Sequence, residues 1–418
     1  MALEYAKVLP QVQKMGRALS YKMEDISERG QKAFDEFMNL TDNAAIYERI
    51  QLARERDAGY RGAAPIAVDG EVLTARYELP KPPDKATIIA VDGSQIYPDI
   101  HGAAFYYLTN IGRFTFYHGQ DQLPQEYSEP ILYYADSDIR DQHDQLITNA
   151  TVNARRTVGE MQALANAAWS HRDNNQTVIA LSDGPLLFWL GRDVPESNIL
   201  EKDYHGALVH LHDTHTATYT RHQHQTSLAG YIDRPTSRFV VALLHLLSLD
   251  EEDVRRAVLA TPGDYEGLDD QWLFKRILQP GERSALMIQQ SPQNKNYRNL
   301  VGESYEIIYF YLNVGRQGAA HLARVELPMW VARSREAVNE VHALIIAQCL
   351  MMGNYPYALT RADEVAVIRN PERHMLEELI RTEMLRHRHE IEESAKLTGK
   401  LQTRSGRQSF GQSNGRRR

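Results

Sequence analysis

The stretch Thr87-Ile-Ile-Ala-Val-Asp-Gly-Ser-Gln-Ile-Tyr-Pro98 decides the fold that this sequence predicts. Its centre, Ile88 to Val91, is a short, apolar and largely β-branched run, which is typical of a strand buried on both faces. Asp92-Gly93-Ser94 follows, and we expect the strand to end there, because glycine tolerates the backbone angles of a turn. A second apolar run, Thr177 to Leu181, ends in the same way at Ser182-Asp183-Gly184-Pro185.

The repetition of this pattern favours a functional site over a pair of turns. Asp-Gly is a common turn former, so a turn alone would explain one such dipeptide. Two central strands that each deliver an aspartate at the C-terminal end could place Asp92 and Asp183 in one crevice. We therefore expect a metal or catalytic site at that end of the sheet.

Composition indicates a globular protein of a reducing compartment. Hydrophobic residues make up 43% of the chain and charged residues 24%, which is enough for a sizeable core. The single cysteine, Cys349, excludes an intrachain disulfide. The N-terminal sequence lacks the basic and apolar regions of a secretory signal, and the apolar run 343–352 is too short to cross a membrane. We expect a cytoplasmic protein without membrane association.

The chain divides into a helical N-terminal arm (1–80), a central α/β domain (81–385) and a basic tail (386–418). Leu19, Met23 and Ile26 fall at helical spacing in the arm, which serves either self-association or packing as a layer on the domain. After Glu393 the tail holds seven basic residues and no acidic one, and we expect it to be disordered. A net charge of −8 argues against a surface that coats nucleic acid everywhere, but it permits a local basic channel.

The central part predicts a mixed α/β sheet with flanking helices. A turn at Asn110–Gly112 is expected to join two strands, and the helix that follows carries Glu160. The further segments with strand or helix character are strands at 103–112, 113–118, 228–235, 305–314, 320–328 and 365–368, and helices at 130–170, 239–249, 331–352 and 371–396.

Six of the sixteen histidines lie between residues 205 and 224. His210, His212 and His215 do not have the i, i+4 spacing of a helical zinc pair, and no cysteine accompanies them. The stretch therefore predicts a solvated, partly helical face rather than a metal site.

The carboxylates have the chemistry of a two-metal hydrolytic site. Such a site needs clustered oxygen ligands that hold Mg²⁺ or Mn²⁺ about 3.5–4 Å apart beside a phosphodiester. Asp92, Glu160 and Asp183 would meet that need, with Asp363 or Asp233 as a fourth ligand. Each carboxylate alone would be explained by a cap, a turn or a surface charge, so spacing does not establish the set.

Five segments together resemble the NurA nuclease family over residues 87–370. They are Ala90-Val-Asp-Gly-Ser-Gln95, Leu181-Ser-Asp-Gly-Pro-Leu186, Gly230-Tyr-Ile232, Ala323-Arg-Val-Glu-Leu-Pro328 and Tyr355-Pro-Tyr-Ala-Leu-Thr-Arg-Ala-Asp363. The first segment is moderately specific, and the ordered set is much more so.

The resemblance implies a ribonuclease-H-like fold and manganese-dependent hydrolysis of DNA, with magnesium as a second candidate ion. It implies a 5′-3′ exonuclease and single-strand endonuclease that acts on single- and double-stranded DNA. It further implies action beside the HerA hexameric ATPase in DNA end resection and double-strand break repair. A homodimer is the expected assembly.

The resemblance also assigns roles to residues. Asp92 and Asp183 match the strand-end metal ligands, Glu160 is the best match to a helix-borne glutamate, and Tyr355 looks like the family's active-site tyrosine. Some members carry histidine where Asp363 stands, so Asp363 is a candidate either as ligand or as general base. Pro185 stands where a small hydroxylic residue is common.

Two further functions remain open at this point. The chain is either a nuclease or a non-catalytic adaptor of the same fold that docks a DNA-translocating ATPase through its arm and tail. A different phosphoryl-transfer enzyme on the same fold is the third possibility, because a fold does not fix a function. The ordered set of Asp92, Glu160 and Asp183 favours the nuclease, since metal chemistry asks for all three.

Overall fold

The computed structural model describes residues 3–100, 102, 104–191, 194–298, 300, 302, 304–316 and 318–387. The basic tail beyond Glu393 lies outside the described residues. Within them, no helix is long and apolar enough to cross a membrane.

Helices and strands alternate along the described chain. The helices are α1 (Tyr5–Met38), α2 (Asn43–Glu55), α3 (Asp136–Ile139), α4 (Asn149–Ser170), α5 (Ser197–His222), α6 (Phe239–Ser248), α7 (Arg256–Leu259), α8 (Asp270–Ile277), α9 (Pro292–Asn296), α10 (Met329–Ala332), α11 (Arg335–Met352), α12 (Tyr357–Ala366) and α13 (Asn370–Arg386). The strands are β1 (Ala63–Pro65), β2 (Arg76–Tyr77), β3 (Ala86–Ile96), β4 (Tyr107–His118), β5 (Gln125–Tyr133), β6 (Thr177–Asp183), β7 (Thr226–Asp233), β8 (Arg283–Ser284), β9 (Met287–Gln289), β10 (Ile307–Asn313) and β11 (Leu322–Pro328).

The strands form one mixed sheet in the order β1-β9-β10-β11-β7-β6-β3-β4-β5. β3, β6 and β7 are parallel neighbours, while β4 and β5 extend the sheet antiparallel to β3. Helices α4 and α5 provide the crossovers that parallel strands require. The order β5-β4-β3-β6-β7 with these directions is the ribonuclease-H-like arrangement, so the expected fold class is confirmed.

Apolar burial holds the sheet between helices. Ile88 to Val91 and Val178 to Leu181 are buried, as two-sided central strands require. Helix α4 covers one face with Val158, Met161 and Leu164, which follow the helical period found in the sequence. On the far side of the sheet, β1 and β2 pair with β9 and β8, so residues before 80 also contribute strands.

The first strand does not end at Asp92-Gly93. β3 continues to Ile96, because its ladder with β4 runs without interruption from Ala86–His118 to Ile96–Leu108. β4 is likewise one strand, and the turn predicted at Asn110–Gly112 is wrong. Gly112 lies in the middle of that ladder, opposite Asp92.

Two other segments also differ from the prediction. Residues 125–133 form the edge strand β5, so the helix predicted from residue 130 is wrong there, and the long helix α4 begins only at Asn149. β5 is mostly exposed, and it lacks the apolar alternation that marks a half-buried strand. The strand expected at 365–368 is absent: helix α12 extends to Ala366, and residues 367 and 368 belong to neither a helix nor a strand. The buried residues of α12, Ala358, Leu359, Ala362 and Ala366, follow a helical period. The last helix begins at Asn370 as expected, but the part beyond residue 387 is outside the described chain.

The histidine-rich stretch is helical but not a solvated face. It forms most of α5, and its histidines pack as aromatic rings. His205 contacts the ring of Tyr297 edge-on, and His212 stacks on Trp330 with 5.2 Å between ring centroids. His215 packs on the same tryptophan, and burial lowers the pKa of His215 and of His205. These histidines stabilise the packing of α5 against α10 and the segment that follows α9.

Candidate active site

Asp92 and Asp183 occupy adjacent positions on neighbouring parallel strands. The last parallel pair joins Val91 of β3 to Ser182 of β6, and each aspartate is the next residue on its strand. Neighbouring strands lie about 4.8 Å apart, so the two aspartates extend from backbone positions that are side by side. Beyond this pair β6 stops, whereas β3 continues with only β4 beside it. The gap left by β6 is the crevice expected from the sequence.

Glu160 reaches the same place from helix α4. Its Oε1 atom lies 2.4 Å from the position that a Cβ atom on Gly93 would take, and the Cγ of Arg156 lies 2.9 Å from it, so a side chain there would clash. Gly93 therefore allows the helix to lie directly on the strand beside Asp92. Its role is close approach and not the turn that the sequence suggested. Gly184, by contrast, has a φ of +105°, so the second Asp-Gly does make a turn.

Arg156 ties Glu160 and β3 together. Its guanidinium Nη1 donates to the carbonyl oxygen of Gly93 and to Oε1 of Gln95, each at 3.0 Å. Its Nε lies 3.2 Å from Oε1 of Glu160, an ion pair between residues four apart on α4. Both of these atoms are buried, and neither makes a hydrogen bond with the described residues. The buried end of Glu160 is thus only partly compensated.

Burial raises the pKa of all three carboxyl groups. The pKa of Asp92 rises to about 6, mainly by burial and further by the charges of Asp183 and Asp363. Burial raises the pKa of Glu160 to about 7, with Arg156 opposing the shift and the two aspartates adding to it. Asp183 is the most exposed of the three, yet the surrounding protein still raises its pKa. The site is therefore short of positive charge.

Tyr355 contacts Asp183. Its hydroxyl donates a hydrogen bond to the carboxylate, which lowers the pKa of Asp183 against the effect of burial. Burial and the same carboxylate raise the pKa of Tyr355, so the hydroxyl keeps its proton. The ring packs edge-on against Tyr231 with 5.2 Å between centroids. Tyr355 thus combines ring packing in the core with a hydrogen bond to the candidate site.

Asp363 and Asp233 differ in their availability. Asp363 is exposed on α12, and its charge raises the pKa of both Asp92 and Asp183. Two hydrogen bonds hold the end of α12 on β3 and β4. The side chains of Ser94 and Asn110 donate them to the carbonyl oxygen of Ala366 at 2.5 and 2.8 Å. Both carboxylate oxygens of Asp233 are instead hydrogen-bonded, one to ring Nε2 of His321 at 2.5 Å and the other to Nε of Arg234 at 3.1 Å. Asp363 is the freer of the two candidates.

The donor set suits a hard divalent cation. It consists of carboxylate oxygens, which Mg²⁺ and Mn²⁺ prefer, and the buried oxygen of Glu160 lacks a hydrogen-bond donor. As the side chains stand, no group of three or more His, Cys, Asp or Glu in the described part of the chain is gathered tightly enough to hold an ion. Mutual repulsion of the carboxylates and the pull of Arg156 on Glu160 explain their separation.

A cavity of about 460 Å³ opens beside these carboxylates. Glu160 and Asp183 line it together with Phe188, Leu190 and Trp189, whose ring is 60% exposed. A large exposed aromatic ring at a cavity mouth offers a surface on which a base can stack. Arg156 and Trp189 are further residues of the candidate site that were not predicted from the sequence. Only Arg156 carried a signal, its i, i+4 spacing to Glu160.

Comparison with known proteins identifies the central segment. The family model of the NurA domain matches residues 86–368, which begin at the first residue of β3 and end just after α12. No curated protein matches the sequence.

The solved structures that match the chain have low sequence identity to it and TM-scores below 0.5. The NurA nuclease from Sulfolobus solfataricus is 12% identical with a TM-score of 0.43, covering 85% of this chain and 98% of that one. Human ENDOV is 14% identical with a TM-score of 0.29 and coverage of 69% and 85%. Aquifex aeolicus Argonaute is 11% identical with a TM-score of 0.25, covering 67% of this chain and 28% of that one.

The raised pKa of Asp92 predicts a pH-dependent instability of the metal-free protein. As pH rises above 3.8 the unfolded chain ionises Asp92 first, so stability is lost until the pH passes the folded pKa of about 6. Asp92→Asn removes that loss and should raise the free energy of unfolding by about 1–2 kcal/mol at pH 8, a value discounted for partial exposure.

Denaturant unfolding in EDTA at pH 4 and pH 8 measures this effect. The difference between Asp92→Asn and wild type should shrink towards pH 4. Asp69→Asn is the matched control, because Asp69-Gly70 is an exposed Asp-Gly outside the site. An Asp92→Asn protein no more stable than wild type at pH 8 would contradict a strained carboxylate.

Proposed function

Since the chain belongs to the NurA family, we propose that it is a metal-dependent deoxyribonuclease that hydrolyses phosphodiesters. The observation that carries this proposal is the meeting of Asp92, Asp183 and Glu160 at the gap where β6 ends, with their charge only partly compensated. We place Mn²⁺ there as the working ion and Mg²⁺ as the alternative. Such cations polarise the phosphate and activate water.

The side chains divide the work by position. Asp92 and Asp183 hold cations from the sheet, and Glu160 holds them from α4. Asp363 is the fourth ligand in preference to Asp233, because its carboxylate is free of hydrogen bonds to the described residues. Tyr355 orients the Asp183 carboxylate and presents a neutral hydroxyl to the substrate phosphate. DNA enters along the cavity beside Trp189, where bases can stack.

We infer the polarity of cleavage, the biological process and the partner from membership of the family. We propose 5′-3′ exonuclease and single-strand endonuclease action on DNA in end resection and double-strand break repair, with a HerA-type hexameric ATPase as partner in the cytoplasm. A non-catalytic adaptor is disfavoured by a physical argument. Burying Glu160 and Asp92 without full compensation costs free energy. An adaptor would gain nothing from that cost.

Loss of either strand carboxylate should abolish cleavage. Asp92→Ala and Asp183→Ala each remove a metal ligand without removing core packing, so activity on labelled DNA with Mn²⁺ should fall by about a hundredfold or more. Asp69→Ala, which changes an exposed Asp-Gly turn, should cleave like wild type. Cleavage within a few-fold of wild type by either site variant would refute the proposal.

The hydroxyl of Tyr355 should affect turnover without affecting stability. Tyr355→Phe keeps the ring on Tyr231 but removes the donor to Asp183, and we expect kcat to fall about tenfold. Tyr357→Phe is the control, since Tyr357, the first residue of α12, packs its ring on Phe114 and Phe116. If the two variants turned over DNA equally with wild type, Tyr355 would be a packing residue only.

Helix α1 offers a surface for self-association. Tyr5, Val8, Val12, Met15 and Leu19 repeat at alternating intervals of three and four residues, the pattern of a coiled-coil seam. Val12 is 48% exposed and Met15 is 56% exposed, while the end of the helix packs through Phe37 onto Phe274. We propose that this seam pairs with the seam of a second copy.

The mass of the protein in solution distinguishes this dimer from a monomer. Val12→Lys puts a charge into the seam and should convert a dimer into a monomer in light scattering. Gln13→Lys makes the same substitution one residue away, off the seam, and should leave the dimer intact. A wild-type monomer, or a Val12→Lys dimer, would exclude this seam.

A further inference from the structure

A second, larger cavity lies away from the carboxylates. Its volume is about 910 Å³, and it is enclosed by the end of α2, the loop to β1, the start of α6, helix α7 and helix α9. It borders β9, four strand steps along the sheet from β6, which corresponds to roughly 20 Å. Nothing in the proposed hydrolysis uses it.

The lining of this cavity is strongly basic. Its charged residues are Arg54, Arg61, Arg238, Arg256, Lys295 and Asp57. Asp57 already pairs with Arg256 at 2.6 Å. The other four cations form no ion pair with a carboxylate in the described part of the chain. On a chain of net charge −8, an uncompensated group of this size is unusual.

The individual contacts leave these cations available. Arg54 donates to the side-chain oxygen of Gln290, and Arg238 donates to the carbonyl oxygen of Tyr265 at 2.9 Å. The Nε atom of Arg238 is buried and has no hydrogen-bond partner among the described residues. Arg61 and Lys295 are exposed and make no side-chain hydrogen bond to them. An anion in the cavity would neutralise these cations.

The nearby acidic group is already occupied. Asp270, the first residue of α8, lies beside the start of α6. Its carboxylate accepts hydrogen bonds from the backbone N–H groups of Phe239, Val240 and Val241 and from the hydroxyl of Tyr311. It is fully buried and does not line the cavity. Its carboxylate therefore stabilises the start of α6 and does not neutralise Arg54, Arg61, Arg238 or Lys295 in the cavity lining.

We propose that this cavity binds a ligand with clustered phosphate groups. Guanidinium groups bind phosphate oxygens through paired hydrogen bonds, and an ammonium group adds a point charge. The volume suits a ligand of nucleotide size. A nucleoside triphosphate and the backbone of a DNA strand share this chemistry. The site is independent of the carboxylates and of divalent metal.

Binding of sodium tripolyphosphate in EDTA tests the cavity directly. Calorimetry should give saturable binding to the full chain, weakened about tenfold or more by the double variant Arg61→Gln/Lys295→Gln. Both residues are exposed and lack hydrogen bonds to the described residues, so the fold should persist. Arg238→Gln should weaken binding similarly. The control Arg17→Gln/Lys202→Gln removes the same charge elsewhere and should change affinity less than about twofold.

Competition experiments distinguish a nucleotide from a DNA strand as the ligand of this cavity. ATP that binds like tripolyphosphate and is not displaced by a single-stranded oligonucleotide identifies a nucleotide site. An oligonucleotide that displaces tripolyphosphate, and binds about tenfold more weakly to the cavity variant, identifies a DNA strand. No saturable binding below about 1 mM, or equal loss in the control, would overturn the proposal. Because metal is absent, failure of nuclease activity would leave this result unaffected.

Discussion

The packing of Glu160 against Gly93 is the contact on which the acidic site depends. A side chain at position 93 would occupy the space of the Glu160 carboxylate and of the Arg156 stem. Helix α4 would then have to move away from β3. This movement would also break the two hydrogen bonds that Arg156 donates to Gly93 and Gln95 of the strand. One missing Cβ atom therefore determines how close a helix-borne carboxylate comes to a strand-borne one.

Two buried carboxylates of this protein show how structural and functional burial differ. Asp270 has a pKa raised to about 6 by burial, but it accepts three backbone hydrogen bonds and one from Tyr311. Its oxygens are fully used to hold α6. Glu160 has a similarly raised pKa, yet its buried oxygen faces only an imperfectly oriented arginine. Incomplete satisfaction at Glu160 is what a cation site would need, and its cost is localised at the crevice.

Much of the fold, and the position of Asp92 beside Asp183, could be predicted from the sequence because both depend on local patterns. The apolar runs ending at Asp92 and Asp183 belong to central strands, and their parallel register brings the next residues together. The role of Gly93 could not be predicted, because it depends on a helix about sixty residues further along the chain. The end of helix α12 could not be predicted as helix, because residues 365–368 are apolar and mostly β-branched and the buried face of the helix consists mainly of alanines. The basic cavity had no sequence signal, since its cations come from distant segments.

Manganese anomalous scattering from a crystal soaked at pH 8 would show whether these carboxylates bind a cation. We expect anomalous peaks at the gap beyond the end of β6, within coordination distance, roughly 2.0–2.3 Å, of carboxylate oxygens of both Asp92 and Asp183. We also expect Glu160 to turn from Arg156 towards the ion. Fully occupied peaks elsewhere with an empty gap, or Glu160 still paired with Arg156 beside a bound ion, would contradict this expectation.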